Sequence, residues 1–207
     1  MSYYGRASAR LYSLLIDPLL RKLRERITSL CIAEGVTAAL DIACATGAQC
    51  RSLHSAGIRS TGIDLAPEMI AAARRISPPE IEYLIGSALE LPFPDGTFPG
   101  AILSLCLHEH PFIEQDRMVA EAVRVTRPGG AVIVAEYSPP RRPRPEWWLI
   151  NAIERVAGKE HFRNFRKFVR AGGIVRFEPL LPSIGRRVPI FGGGVTILVA
   201  RVPKRAA

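Results

Sequence analysis

An α/β chain, doubly wound around a mostly parallel sheet, is the fold this sequence predicts, and three observations predict it. From residue 37 onward, short β-rich apolar runs alternate with stretches of helical periodicity, the pattern of consecutive βαβ units. The run Ala101 to Leu107 is apolar nearly throughout, as a strand covered on both faces must be. Near the end of the chain, Arg187 to Phe191 and Thr196 to Val202 flank Gly192-Gly193-Gly194 and read as an antiparallel pair joined by a loose turn.

Residues 1–35 read as a separate helical segment. Leu11, Leu15, Leu19, Leu23, Ile27 and Cys31 recur at four-residue spacing, with Arg21, Lys22, Arg24 and Arg26 mostly off that line. Asp17-Pro18 suits an N-cap followed by a first-turn proline, so two short helices are expected rather than one. Residues 36–207 form the main domain. Ala38 to Ala43 is its first strand, Gln49 to Ala56 a helix ended by Gly57, and Ser60 to Ile63 the second strand. Pro67 takes a first helical position, Glu68 to Ile76 continues that helix, and Ser77-Pro78-Pro79 stops it. Glu82 to Ile85 is the third strand and Ala101 to Leu107 the fourth. Glu114 to Thr126 is helical through Met118, Val119, Ala122 and Val125, and Arg127-Pro128-Gly129-Gly130 ends it before a fifth strand at Ala131 to Glu136. Residues 139–175 read as a basic insertion. It opens with an extended run of prolines and arginines to Pro145, and continues in helical segments at Trp147 to Val156 and His161 to Arg170.

At 207 residues, 48% hydrophobic and 23% charged, the chain suits one domain with a small cap and excludes wholesale disorder. No apolar run approaches the roughly 18–20 residues of a membrane-spanning helix, so a soluble, unprocessed, cytoplasmic protein is expected. Cys31, Cys44, Cys50 and Cys106 fit neither paired zinc spacing nor a disulfide framework and read as free thiols. The net charge of +9 is uneven: residues 36–138 carry −5, residues 1–35 carry +3 and residues 139–207 carry +11. Basic ends around an acidic centre suit an anionic partner such as a phospholipid surface, a nucleic acid or an acidic small molecule. Oligomeric state leaves no trace in the sequence.

The chemistry concentrates after the first strand. Leu40-Asp41-Ile42-Ala43-Cys44-Ala45-Thr46-Gly47 runs from strand into a small-residue turn and then a helix, whose N-terminal N–H groups suit an anionic ligand group. Gly62-Ile63-Asp64-Leu65 ends the neighbouring strand with an acid placed to bind ribose hydroxyls. Together they predict a nucleoside-containing cofactor. These two motifs, with Gly62 to Met69 read as one stretch, Gly86-Ser87-Ala88, Leu91 to Phe98, and Arg124 to Gly130, resemble in this order the class I S-adenosylmethionine-dependent methyltransferases, in particular the branch acting on quinone precursors and phospholipids. The resemblance covers about residues 37–138. It implies a Rossmann-like seven-stranded sheet ending in an antiparallel hairpin, with the N-terminal helices folding over the cofactor as a lid. It also implies S-adenosylmethionine as cofactor, held at its methionine end by Asp41 and the turn containing Ala43, Ala45 and Gly47, at the ribose by Asp64, at the adenine by Leu65, Met69, Ser87 and Ala88, with Leu105 lining the pocket.

The chain departs from that family at Ala43 and Ala45, where glycine is usual, at Ser87, where aspartate is frequent, and at Pro99, where an acid is common. A nicotinamide-dependent dehydrogenase would need G-x-G-x-x-G, and this turn offers glycine only at 47. The departures also leave open a non-catalytic cofactor-binding protein on the same fold.

Methyl transfer is an in-line displacement, so positioning does much of the work and a base is needed only where the acceptor loses a proton. His108 and His110 follow the fourth strand and are the catalytic candidates, alongside a purely structural role. No metal ligand set is expected, because adjacent positions such as His108-Glu109-His110 do not present both rings to one ion without further ligands. Tyr4 and Tyr12 of the lid, and Arg141 and Trp147 of the basic insertion, are the acceptor-side candidates. An aromatic and cationic patch of this kind suits a small or lipid-like amphipathic acceptor and an anionic membrane surface, and the acceptor atom stays open among oxygen, nitrogen, carbon and sulfur. Nucleic acid is disfavoured as a partner: there is no recognised RNA-binding module and the chain is only 7% aromatic, although an RNA methyltransferase remains the alternative that the basic ends suggest.

Overall fold

The computed structural model describes residues 20–139, 145–156 and 158–204. Strands β1 (Ala38–Ile42), β2 (Arg59–Asp64), β3 (Glu82–Ile85), β4 (Phe98–Ser104), β5 (Thr126–Tyr137), β6 (Ile184–Ile190) and β7 (Val195–Arg201) form one sheet in the order β3-β2-β1-β4-β5-β7-β6. The first five are parallel, and β7 runs antiparallel to both β5 and β6. Helices α1 (Arg21–Ala33), α2 (Ala48–Ser55), α3 (Pro67–Ile76), α4 (Phe112–Val125), α5 (Pro145–Val156) and α6 (Lys159–Arg170) surround it.

The central strands are apolar on both faces, as a sheet covered on both sides requires. Leu40, Ile42, Ala101, Ile102, Leu103 and Val132 to Ala135 are all buried. Strand order reverses between β1 and β4, and in open α/β sheets this switch point, at the carboxyl ends of the strands, is where ligands bind. Helix α1 packs over α2 beside that edge, with Leu23, Ile27 and Cys31 of the predicted leucine stripe buried. Gln49 Nε2 donates to Thr28 Oγ1 at 3.1 Å, and the hydroxyls of Thr28 and Ser52 lie 2.9 Å apart. Glu34, just past α1, pairs with Arg186 and Arg201, tying this cover to the far strands.

Most boundaries move by one or two residues from the sequence reading, and three regions move further. β4 ends at Ser104 rather than Leu107, because Leu105 turns into the left-handed region at φ 52° and leads the chain out of the sheet. β5 starts at Thr126, and Arg127 to Gly130 bulge out of it where the register shifts between Phe98 and Gly100. Pro99 sits at that same irregularity, so its missing N–H falls where the ladder is already interrupted. The loose glycine turn is a short 3₁₀ turn at Phe191–Gly193, and β6 before it reaches from Ile184, its Pro189 tolerated because β6 is the edge strand. A 3₁₀ segment, Gly173–Leu180, buries Ile174 and Phe177 beneath the last helix and has no counterpart in the sequence reading.

Candidate functional site

The turn after β1 is the first half of the site. Ala43 and Ala45 lie in the left-handed region at φ 58° and 48°, a conformation that costs a non-glycine residue roughly 1–2 kcal/mol. Leu105, at the end of β4, is the third such residue on this edge. Strain of this kind persists where the surroundings over-determine it, and here it gathers at the mouth of the β1/β4 crevice. Gly47, at φ 72°, needs glycine for a second reason: a Cβ there would come within 2.1 Å of the Tyr83 hydroxyl. That hydroxyl donates to the Gly47 carbonyl at 3.3 Å and fixes the start of α2.

Asp64 ends β2 facing the turn. Its two carboxylate oxygens accept the backbone N–H of Ala45 at 2.8 Å and of Ala66 at 2.9 Å, which hold the carboxylate at the strand end facing the turn. Burial raises its pKa, these N–H groups pull it back, and the charge of Glu109 raises it further. Asp41 is buried in β1 with its Oδ2 3.5 Å from the Cys50 thiol. Desolvation pushes its pKa up to about 7 against the opposing pull of Cys50 and the Arg24 guanidinium. Asp41, Ala43, Ala45, Ser104 and Arg24 border a cavity of about 40 Å³, room for a small polar group. Leu65 is exposed, whereas Met69 is buried against Ala66 and Ala45 and supports the turn from behind. The Ser87 hydroxyl accepts the Leu89 N–H at 3.1 Å, and Ala88 packs on the core.

The other half lies past β4 and β5. His108 is buried, with Nδ1 3.0 Å from Glu136 Oε2 and Nε2 3.3 Å from Glu154 Oε2. Glu136 also accepts the backbone N–H of Leu107 at 2.7 Å and of Tyr137 at 3.0 Å, so the carboxylate both orders the chain after β4 and aims the imidazole. His161, from α6, contacts Glu154 through Nε2 and Glu109 through Nδ1 at 3.3 Å. The Tyr137 hydroxyl donates to Glu154 Oε1 at 2.6 Å. Burial alone would push both imidazoles down. The surrounding carboxylates overcome it, holding His108 well above its ordinary range and His161 at about 9.

Of the two catalytic candidates, only His108 belongs to this cluster. His110 is half-exposed and its Nδ1 lies 2.9 Å from Glu114 on the first turn of α4. Trp147 packs beside Tyr137 and Phe165 at the cluster's edge, while Trp148 is 71% exposed. Tyr4, Tyr12 and Arg141 lie outside the described residues. Sequence reading missed Glu136, Glu154 and His161. The one signal available was an acid closing an otherwise apolar fifth strand.

Comparison with known proteins fits this geometry. Residues 40–134 match the family described as "Methyltransferase domain", and the matched stretch runs from β1 through Val134 of β5. Residues 40–134 form a class I methyltransferase domain. Outside it lie α1, α5, α6 and the last two strands. The demethylmenaquinone methyltransferase of Thermus thermophilus is 34% identical to the chain over 122 residues, covering 56% of this chain and 54% of that protein. The 2-methyl-6-phytyl-1,4-hydroquinone methyltransferase of Synechocystis sp. is 30% identical over 105 residues, covering 49% and 32%. The chain thus spans about half the length, or less, of the curated relatives it matches. The fold as a whole matches an O-methyltransferase family protein from Burkholderia thailandensis with a TM-score of 0.76 at 16% identity, covering 96% of this chain and 60% of that one. The four cysteines are free and buried, and among the described residues no helix is long and apolar enough to cross a membrane.

Proposed function

We propose that this chain transfers a methyl group from S-adenosylmethionine to a small, hydroxylated, quinol-like acceptor. The observation that carries the reading is the β1/β4 crevice, where three strained non-glycine residues and the Asp64 carboxylate meet at the strand ends. The methionine end of the cofactor would lie at the turn of Ala43, Ala45 and Gly47 near the start of α2, and its ribose hydroxyls would donate to Asp64. Leu65 would cover one face of the adenine, with Ser87 and Ala88 at its edge.

The methyl group would then point toward β4 and the cluster around His108. The names of the two relatives support a ring acceptor of the quinone class. Loss of a proton from a ring hydroxyl raises electron density both at that oxygen and at the neighbouring ring carbons, so a group that removes it serves transfer to either atom. The buried cluster is the concentration of such groups on this edge. A lipid-like tail on the acceptor would be met by α5 and α6, where exposed Trp148 and Val156 stand beside exposed Arg163, Arg166, Lys167 and Arg170. That combination also suits an anionic membrane surface from which such an acceptor is drawn.

Calorimetric titration with S-adenosylmethionine and its demethylated product is the first test. Micromolar binding, lost by at least about 100-fold in Asp64→Ala, supports the cofactor site; this is the scale of roughly 3 kcal/mol expected for charged hydrogen bonds to two hydroxyls. Radiolabelled methyl incorporation into short-chain hydroquinones, with and without anionic vesicles, then tests the acceptor class. Binding without turnover on any acceptor would favour a cofactor-binding protein on this fold. Salt-sensitive affinity for RNA would favour an RNA methyltransferase.

A further inference from the structure

We infer that His108, Glu154 and His161 form a binding site for a divalent transition-metal ion of the zinc type. The geometry rests on where the ring nitrogens point. Among the described residues, these three side chains offer ligand atoms that all lie within 4.8 Å of one another. Both histidines present Nε2 to the same carboxylate oxygen, Glu154 Oε2, His108 at 3.3 Å. In a tetrahedral site with bonds of about 2.0–2.1 Å, neighbouring donor atoms are about 3.3 Å apart; the His108–Glu154 pair already has that spacing, and the close His161–Glu154 hydrogen bond would open to admit the ion. Two imidazoles and one carboxylate are a donor set zinc and related ions accept, and they leave a coordination position open.

The surroundings fit a metal site more closely than an ordinary buried ion pair. Each histidine directs its other nitrogen at a separate carboxylate, His108 Nδ1 at Glu136 and His161 Nδ1 at Glu109. Such outer carboxylates take the Nδ1 proton and leave the Nε2 lone pair facing the metal. The Tyr137 hydroxyl occupies the remaining oxygen of Glu154, so that carboxylate is also oriented from outside. Backbone N–H groups of Leu107 and Tyr137 hold Glu136, and Asn164 donates to the Glu109 carbonyl at 2.8 Å. An ion can reach the site from one side: His161 and Glu109 keep 17% and 31% of their side-chain surface exposed, while His108 and Glu136 are sealed.

The site deepens the methyl-transfer proposal and rests on it for its role. An acceptor hydroxyl in the open coordination position would be polarised and lose its proton more readily. The oxygen keeps the electron pair and the proton passes to water beside the partly exposed Glu109; the oxygen then attacks the sulfonium methyl as the methyl–sulfur bond breaks, its electron pair staying on the sulfur of the demethylated cofactor, and attack from the adjacent ring carbon instead is completed by loss of that carbon's proton to water.

The test uses the full chain loaded with Zn²⁺ or Co²⁺, freed of unbound ion by gel filtration, and analysed for metal. Wild type and the control His54→Gln are expected to retain about one ion per chain. His161→Gln should lose it, and Glu109→Gln, which leaves the ligands in place, should bind 10–100-fold more weakly. The Co²⁺ form should show the visible absorption of a four- or five-coordinate ion. Wild type retaining no more metal than His161→Gln, or an equal loss in His54→Gln, would overturn the site and leave a hydrogen-bonded imidazole–carboxylate network. Titration of the same samples with S-adenosylmethionine separates the two proposals and reports folding. Cofactor bound without metal overturns the ion alone, whereas metal at unit stoichiometry without cofactor binding upholds the site and overturns methyl transfer.

Discussion

The two flanks of the crevice differ in how their residues are spaced along the chain. On the proposed cofactor flank, Asp41, the alanine turn and Asp64 fall within one βαβ unit and Met69 in the helix that follows it, so one short stretch of chain supplies the strand edge. On the acceptor flank, His108, Glu136, Glu154 and His161 come from the segment after β4, from β5, and from α5 and α6, and only the fold brings them together. A contiguous flank can be read from motifs; an assembled one exposes its chemistry only in three dimensions. The flanks also store energy differently, the first in backbone strain at Ala43 and Ala45, the second in buried charge.

That contrast can be broken from either side. The largest effect is expected at Glu136→Ala, which strips a fully buried carboxylate from the His108 ring and two strand-end N–H groups; denaturant unfolding should show a loss of about 3–5 kcal/mol. A loss below about 1 kcal/mol would mean the acceptor flank is not held by charge. Arg124→Ala comes next. Its guanidinium joins Glu121, Asp95 and the carbonyls of Leu91 and Phe93, pinning the loop between β3 and β4, and its removal should cost about 2–3 kcal/mol in the same measurement.

Ala45→Gly should act in the opposite direction, raising stability by up to about 1 kcal/mol as the left-handed conformation is relieved, net of the greater freedom of glycine in the unfolded chain. A lower unfolding midpoint would show that the turn is not strained. Asp41→Asn tests the buried acid by its pH dependence. The folded pKa of about 7 stands above the ordinary 3.8, so the protonated form is favoured on folding and stability falls as pH rises from about 4 to 7. The asparagine variant should flatten that slope, seen in thermal unfolding across the window. The smallest effect belongs to His110→Gln, outside both flanks, where stability should change by less than about 0.5 kcal/mol.

Much of the fold was legible because the central strands β1, β4 and β5 are largely apolar and the punctuating glycines and prolines stand between the elements. The errors have local causes. Leu105 is as apolar as the strand it leaves, so hydropathy could not show the turn. Arg127-Pro128-Gly129-Gly130 has the composition of a helix stop, and only pairing with β4 shows it to be a bulge. On the acceptor flank, His108 was visible as a histidine after a strand, but Glu154 and His161 sit in a basic stretch whose surface charges concealed them. No periodicity links position 108 to 136, 154 or 161.

The placement of β7 between β5 and β6 bears on how the chain is made. On a ribosome, β1 to β5 emerge first and can pair in parallel, yet the outer edge of β5, from Ala131 to Tyr137, has no neighbour until residues 195–201 arrive. For the time needed to synthesise that interval, an apolar strand edge stands open to other nascent chains. Translation speed and chaperone supply while residues 138–201 are made should therefore govern the yield of folded protein more strongly than while residues 38–137 are made, and ribosome-bound chains halted before β7 should be the ones that chaperones hold.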